Sequence, residues 1–590
     1  MGQHPGDFWF RRGFPRTWVS ARAVWIAALA IVLTTACSSP RATTPGNAAG
    51  SAPAAERKHL VAAMQSDPAT ISSNVVAAGS GTIQGGDALE DLVNAGLSVV
   101  NNTGTLLPQL AETVPTVDNG LWVVSPDGTM STTWKIRPNA QWHDGAPVTS
   151  DDLLFTVRLT RDKDLPVFYD SGTEGIARMD TPDPQTLVVH WKQPYIRADS
   201  LFTRRFGFPR PAHILAALYD DPNKDLLLQS PYWNQAYVGA GPYKVRDWVA
   251  DSHAVLVAND QYVLGRPKID EVEVRFIPDS NTLAANLLAG TVEVTLGRNL
   301  SLQQAVQIRD SWKDGHVGVG IKNWMAAWPQ FLNPDPPIIL DPRFRRAMAY
   351  ALDRQQMVET LQYSMVPVAD TFLSPADPMY KQIDSQIVRY DYNPTKATAL
   401  MGELGYTKGT DGIFRNGAGE PLSLEVRTDG GGGDDGQETA DLAVADGLKR
   451  FGLAAEPLII TQLQRIDRGY NSTFPGIRVW RLPNDADDLR RFHSRDAPTP
   501  ENKFAGGNRS RYMNPQFDEM IDRYMSTIPM ANRIAAMGDV IHHMTDQVTV
   551  IGLWYNTEPV LISNRTQNIT ARDVGATTEA WNAQDWDVTR

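Results

Sequence analysis

Cysteine is almost absent from this chain: Cys37 is the single one in 590 residues. No intrachain disulfide and no cysteine metal cluster can therefore form. Also missing are G-x-S-x-G, G-x-x-x-x-G-K-[ST] and H-E-x-x-H, so no nucleophile elbow, phosphate loop or zinc helix is encoded. His542 and His543 are adjacent on an expected helix, point about 100° apart, and make a poor chelate, better read as a surface pair. Asp429, the glycines 430–433, Asp434 and Asp435 lack the spacing of a calcium loop and read as a mobile strand-to-helix connection. Basic residues are the scarcer charge, 55 Lys and Arg against 67 Asp and Glu, for a net −12. An acidic body argues against nucleic acid or anionic lipid as the main partner. No internal repeat is evident. These absences leave enzyme chemistry without a nucleophile or metal set, and an extracellular hydrolase is only a distant third reading.

What is present is ordinary for a globular protein, 42% hydrophobic and 21% charged. The length suits two to four domains at about 150 residues each. Sixteen tryptophans leave room for aromatic platforms that stack sugars, although most belong in a core.

The N-terminus has its own character. Arg11, Arg12, Arg16 and Arg22 precede an apolar run from Ala23 to Leu33, followed by Thr34-Thr35-Ala36-Cys37. The run is short for a membrane span and fits a signal-peptide core. Cys37 directly after it resembles a bacterial lipoprotein processing site, with the usual Leu one position early at Leu33. That resemblance makes Cys37 the lipidated mature N-terminus. The alternatives are an uncleaved anchor or a secreted protein with an incidental cysteine. Arg11-Arg12-Gly13-Phe14 also resembles a twin-arginine export signal. Residues 38–58, rich in Ser, Pro, Ala, Thr and Gly, read as a flexible tether.

The informative stretch runs from Thr133 to Phe155. Thr133, Lys135 and Arg137 alternate with Trp134 and Ile136, a half-buried strand. Asp144-Gly145 marks a turn, and Thr149 with Asp152 has the spacing of a helix cap ahead of Leu153, Leu154, Phe155 and Val157. Further on, Leu187, Val189 and Trp191 alternate as a second strand. Val238-Gly239-Ala240-Gly241-Pro242-Tyr243 leads toward another. From Asp341 to Arg354, Asp341 caps a helix with Pro342 at its first position. Phe344, Ala347, Met348, Ala351 and Leu352 share its core face, while Arg343, Arg345 and Arg346 read as a solvated or salt-bridged face. Asn508 to Asp518 and the strand Ile551-Gly552-Leu553-Trp554-Tyr555 close the series.

Taken in order, these stretches resemble the motifs of the family-5 extracellular solute-binding proteins, the dipeptide and oligopeptide receptors of ABC importers. The resemblance covers nearly everything from Leu92 to Tyr555. One mild departure is Glu293-Val294, where the family places an Asp. The resemblance implies an α/β fold of the periplasmic-binding-protein type, class II, with two lobes, an additional inserted domain and a hinge. It carries the boundaries 1–37 for the signal peptide, 38–58 for the tether, 59–98 with 226–324 and 550–590 for a discontinuous domain I, 99–225 for domain II and 325–549 for domain III. In the peptide-binding branch an Asp three residues past a Trp neutralises the ligand's ammonium, since a buried unpaired cation is costly. Here Pro483 stands three past Trp480. Asp485 or Asp487 is the candidate substitute in a longer loop; equally, both simply solvate that loop. Trp480 is a candidate pocket wall or a core residue.

The function implied is a substrate-binding lipoprotein of an ABC importer, capturing a peptide or other small polar solute and delivering it to a permease with its ATPase. It would be lipid-anchored outside the cytoplasm, monomeric, with no catalytic residue, metal or cofactor. The alternative is a ligand-sensing or scaffold lipoprotein of the same fold that is not coupled to import.

Overall fold

Two strands carry the architecture of this computed structural model: Gly315–Pro329, of 15 residues, and Ile551–Ser563, of 13. The structure describes residues 57–72, 75, 84–162, 164–165, 171–430 and 436–589, with the side chains of Ser171, Lys322 and Asp487 left out. Cys37, the run before it, most of the tether and residues 431–435 lie outside the described residues. The two long strands pair antiparallel through most of their length. At one end Ile562 pairs with Val294, next to the parallel pair His59–Met64 and Glu271–Phe276. At the other end residues 323–329 pair with Ile477–Pro483. Their ladder shifts register twice, between Ile321 and Asn323 and between Met325 and Ala326. Such bulges bend a strand and raise its twist. One ten-stranded sheet therefore runs through two halves of the body, from Ala454–Ile460 at one edge to Tyr243–Val249 at the other.

The expected strand at Thr133 is Met130–Lys135, the second strand of a separate four-stranded antiparallel sheet within 99–225. Its neighbour Thr186–Trp191 buries Leu187, Val189 and Trp191 on alternate positions. The helix that follows, Ser150–Thr160, starts on Thr149, whose N–H donates to Asp152 Oδ2 at 2.9 Å. Asp152 also accepts from Trp142 Nε1 at 3.2 Å and from the backbone N–H of Ala212 at 2.8 Å. His143 bridges this loop to the glycine segment. Its Nδ1 accepts from Gly239 N–H, and its Nε2 lies 3.2 Å from Gly241 O. Burial depresses its pKa to about 3, so the ring is neutral, with the proton on Nε2. Gly239 and Gly241 are glycines because the helix end at Val93–Asn94 sits on them: a Cβ on Gly239 would lie 2.0 Å from Val93 O.

The helix Pro342–Ala351 begins as expected, with Asp341 accepting from Arg343 N–H. Two of its three basic residues are salt-bridged as expected and one is not. Arg343 pairs with Asp341 and Arg346 with Asp546, but Arg345 is buried and donates to the carbonyls of Ile339, Gln547 and Val548. It ties two helices together, and burial pulls its pKa down to about 10. Glu293, the departure noted above, is likewise structural: it accepts from Val61 N–H at 2.9 Å and pairs with Arg565. His542 is exposed while His543 turns inward, bonded to Tyr512 and stacked on Phe517.

Candidate functional site

A cavity of about 370 Å³ lies between the two halves of the body. One side is formed by segments 98–106, 196–208 and 574–577 with Asp91; the other by 374–382, 484–486 and 524–534. Its lining is rich in charge and poor in aromatic rings. Arg197, Arg204, Arg205 and Arg533 face Asp91, Asp199, Asp377 and Asp485, while Phe208 and Tyr524 are the aromatics and no tryptophan contributes. Six tryptophans, among them Trp134, Trp142 and Trp324, are instead fully buried in the body.

The floor of the cavity is a buried charge network. Asp91, on the helix Gly86–Val93, accepts from Thr578 Oγ1 at 2.5 Å and lies 3.5 Å from Arg204. Burial raises its carboxyl to about 7 in spite of Arg204. Arg204 also approaches Asp87 and donates to Ala576 O. Behind it Arg572, 1% exposed, is surrounded by Asp87, Glu558 and Glu579. A guanidinium can be buried at this depth only with such partners. Glu558 belongs to the long strand Ile551–Ser563, so the network ties the cavity floor to the strands that cross between the halves.

Two contacts bridge the cavity from side to side. Arg205 forms an ion pair with Asp485, and Arg533 Nη1 donates to Ile196 O at 3.1 Å. Asp485 thus lies in the cavity lining, with its charge answered by the opposite wall. The side chain of Asp487 lies outside what is described. Trp480 is not in the lining of this cavity. Its half-buried ring lies between the guanidinium groups of Arg478 and Arg509, 4.8 and 5.0 Å from the ring centre, an attractive arrangement for cations on a π face. Arg478 is in turn held by Asp429 at 2.6 Å, and burial lowers its pKa to about 10.

Two lining residues escaped the sequence reading. Asn484, next to Asp485, is 4% exposed, and neither its Oδ1 nor its Nδ2 finds a partner among the described residues. Asp377 follows Ser374-Pro375-Ala376, a loop without any motif. Its Oδ1 accepts from Met379 N–H at 2.8 Å, and burial raises its pKa. The signal that would find Asn484 is its place in the loop after Trp480; nothing local marks Asp377.

Comparison with known proteins agrees with this geometry. The family described as bacterial extracellular solute-binding proteins, family 5 Middle, matches residues 105–502. A putative ABC transporter peptide-binding protein of Brucella ovis is 28% identical over 292 residues, 48% of this chain. The chain spans about half the length of this relative, 51%. The oligopeptide-binding protein AppA of Bacillus subtilis is 25% identical over 422 residues, 69% of this chain and 72% of that one. Among solved structures, NikA from Brucella suis in complex with Fe(III)-EDTA superposes with a TM-score of 0.70 at 17% identity, covering 90% of this chain and 100% of that one. The shared fold is the two-lobed, class II arrangement.

Proposed function

The chain belongs to the family-5 bacterial extracellular solute-binding proteins, and on that premise we propose that it is the solute receptor of an ABC importer. The observation that carries this reading is the cavity itself. It lies between two halves joined by crossing strands, and its walls come from both. A site of this kind captures solute by closing the halves on it and expelling water. At about 370 Å³ the space is at the small end of the range of about 300–1,000 Å³ typical of small-molecule sites. A short peptide or another small polar solute suits it. The names of the Brucella ovis and Bacillus relatives favour peptides, and the mixed Arg and Asp lining suits a ligand carrying both charges.

In this reading Cys37 is lipidated after removal of the signal peptide, and the tether holds a monomeric body at the outer face of the membrane. Among the described residues no helix is long and apolar enough to cross one. One lobe is 59–98 with 226–324 and 550–590, carrying 99–225; the other is 325–549. The closed receptor would present its solute to a permease driven by an ATPase.

Native mass spectrometry of the full chain, released from membranes in mild detergent, tests this. A set of co-purified masses that fragment as peptides is expected. One defined non-peptide mass keeps the receptor and discards peptides. An empty protein whose melting temperature is unmoved by mixed di- and tripeptides overturns the reading.

A further inference from the structure

The charged and polar groups of the cavity are unequally engaged. Arg204 is committed to Asp87 and Asp91, and Arg205 to Asp485. Asn484 and Asp377 are different. An amide side chain offers two donor and two acceptor positions, and Asn484 satisfies none of them among the described residues although it is almost wholly buried. Leaving such a group unmade inside a protein is costly unless something else completes it. Asp377 has one oxygen on Met379 N–H and no ion pair among the described residues. The charge it feels most strongly is of its own sign, that of Asp485, the neighbour of Asn484; Arg197 acts more weakly. Both residues line the same cavity. Asp485, the residue after Asn484, has no such need, since Arg205 already neutralises it.

Resting on the receptor reading above, we propose that Asp377 and Asn484 are the residues that read the solute, and that Asp485 is a closing contact and not the ligand's anchor. Asp377 receives an ammonium or another cationic donor. Asn484 takes a planar amide edge, accepting through Oδ1 and donating through Nδ2. The solute is then a small molecule carrying both a free amine and an amide-type group. Asp485 as the anchor carboxylate on the loop after Trp480 is disfavoured because Arg205 already pairs with it.

The same native mass spectrometry on wild type, Asp377→Asn, Asn484→Leu and Asp485→Asn tests this. Wild type is expected to carry an amine-bearing mass. Asp377→Asn and Asn484→Leu are expected to lose about 100-fold in affinity, enough to come through purification empty. Asp485→Asn is expected to keep the ligand. Misfolding is separated by thermal melting: Asn484→Leu removes an unmet buried amide and is expected to melt no lower than ligand-stripped wild type. A bound solute without an amine, retention of ligand by both Asp377→Asn and Asn484→Leu, or loss confined to Asp485→Asn overturns this inference and leaves the receptor standing. An empty, peptide-insensitive wild type removes the receptor reading itself.

Discussion

Two loops of this protein follow a tryptophan and are built on opposite terms. After Trp142 the key polar groups are partnered inside the protein: Asp152 takes the indole N–H and two backbone N–H groups, His143 spans to Gly239 and Gly241, and Asp144 binds His213 at 2.7 Å. After Trp480 Asp488 is held locally by Arg491 at 2.7 Å, but Asn484 and Asp485, which line the cavity, are not held this way. Asp485 reaches across to the facing wall, and Asn484 reaches nothing described. The first loop is closed upon itself and makes a rigid corner. The second is left incomplete at the wall of the cavity, where the proposed solute would bind. A motif and a binding site are here different parts of the chain, because a motif records local self-sufficiency and recognition requires its absence.

That contrast can be broken hardest at the glycines. Gly239→Ala would push a Cβ against Val93 O, and a loss of about 4 kcal/mol in unfolding free energy is expected in chemical denaturation. Asp152→Ala strands the Trp142 indole and two backbone donors; about 3 kcal/mol is expected to go, with the melting temperature falling accordingly. If either variant melts like wild type, the first loop is less self-sufficient than described.

Asp441 sharpens the other half of the comparison. Like Asn484 it is buried with both side-chain oxygens unpartnered among the described residues, but it lies in the helix Gln437–Phe451, away from the cavity. Burial, with Glu425 adding to it, pushes its carboxyl from 3.8 to about 8. The folded chain therefore holds a proton that the unfolded chain releases, so stability falls as pH rises through the window from 3.8 toward about 8. Asp441→Leu is expected to flatten that slope, gain about 1–2 kcal/mol near neutral pH, and leave ligand occupancy unchanged. A loss of ligand there would erase the distinction drawn between the two buried groups. The smallest effect belongs to Arg205→Gln. The pair it breaks is partly exposed, so a roughly fivefold weaker solute affinity is expected by titration, with little change in melting.

The sequence made the first loop readable and the second only in outline, for a physical reason. Strand alternation at Met130–Lys135, the cap at Thr149 and the core face of Pro342–Ala351 are set by neighbours a few residues away. Arg345 was misjudged as a surface residue because its carbonyl partners, Gln547 and Val548, lie 202 and 203 residues further on. Asp485 is visible in the sequence as a charge in the loop after Trp480, but its partner Arg205, 280 residues away, is not. Asn484 and Asp377 carry no pattern at all. Their distinction is a missing bond, and a missing bond has no sequence signature.

The two long strands have a mechanical meaning as well. They stay in one ladder while crossing from half to half, so the joint is a flexure and not a pin. Rotation has to be absorbed by bending paired backbone, and the register shifts at 321–323 and 325–326 are its thin places. A joint of that kind yields in one direction and resists sideways slip. In a receptor that closes on its solute, such a joint would bring the walls back to one alignment, so that Arg205 meets Asp485 without a search.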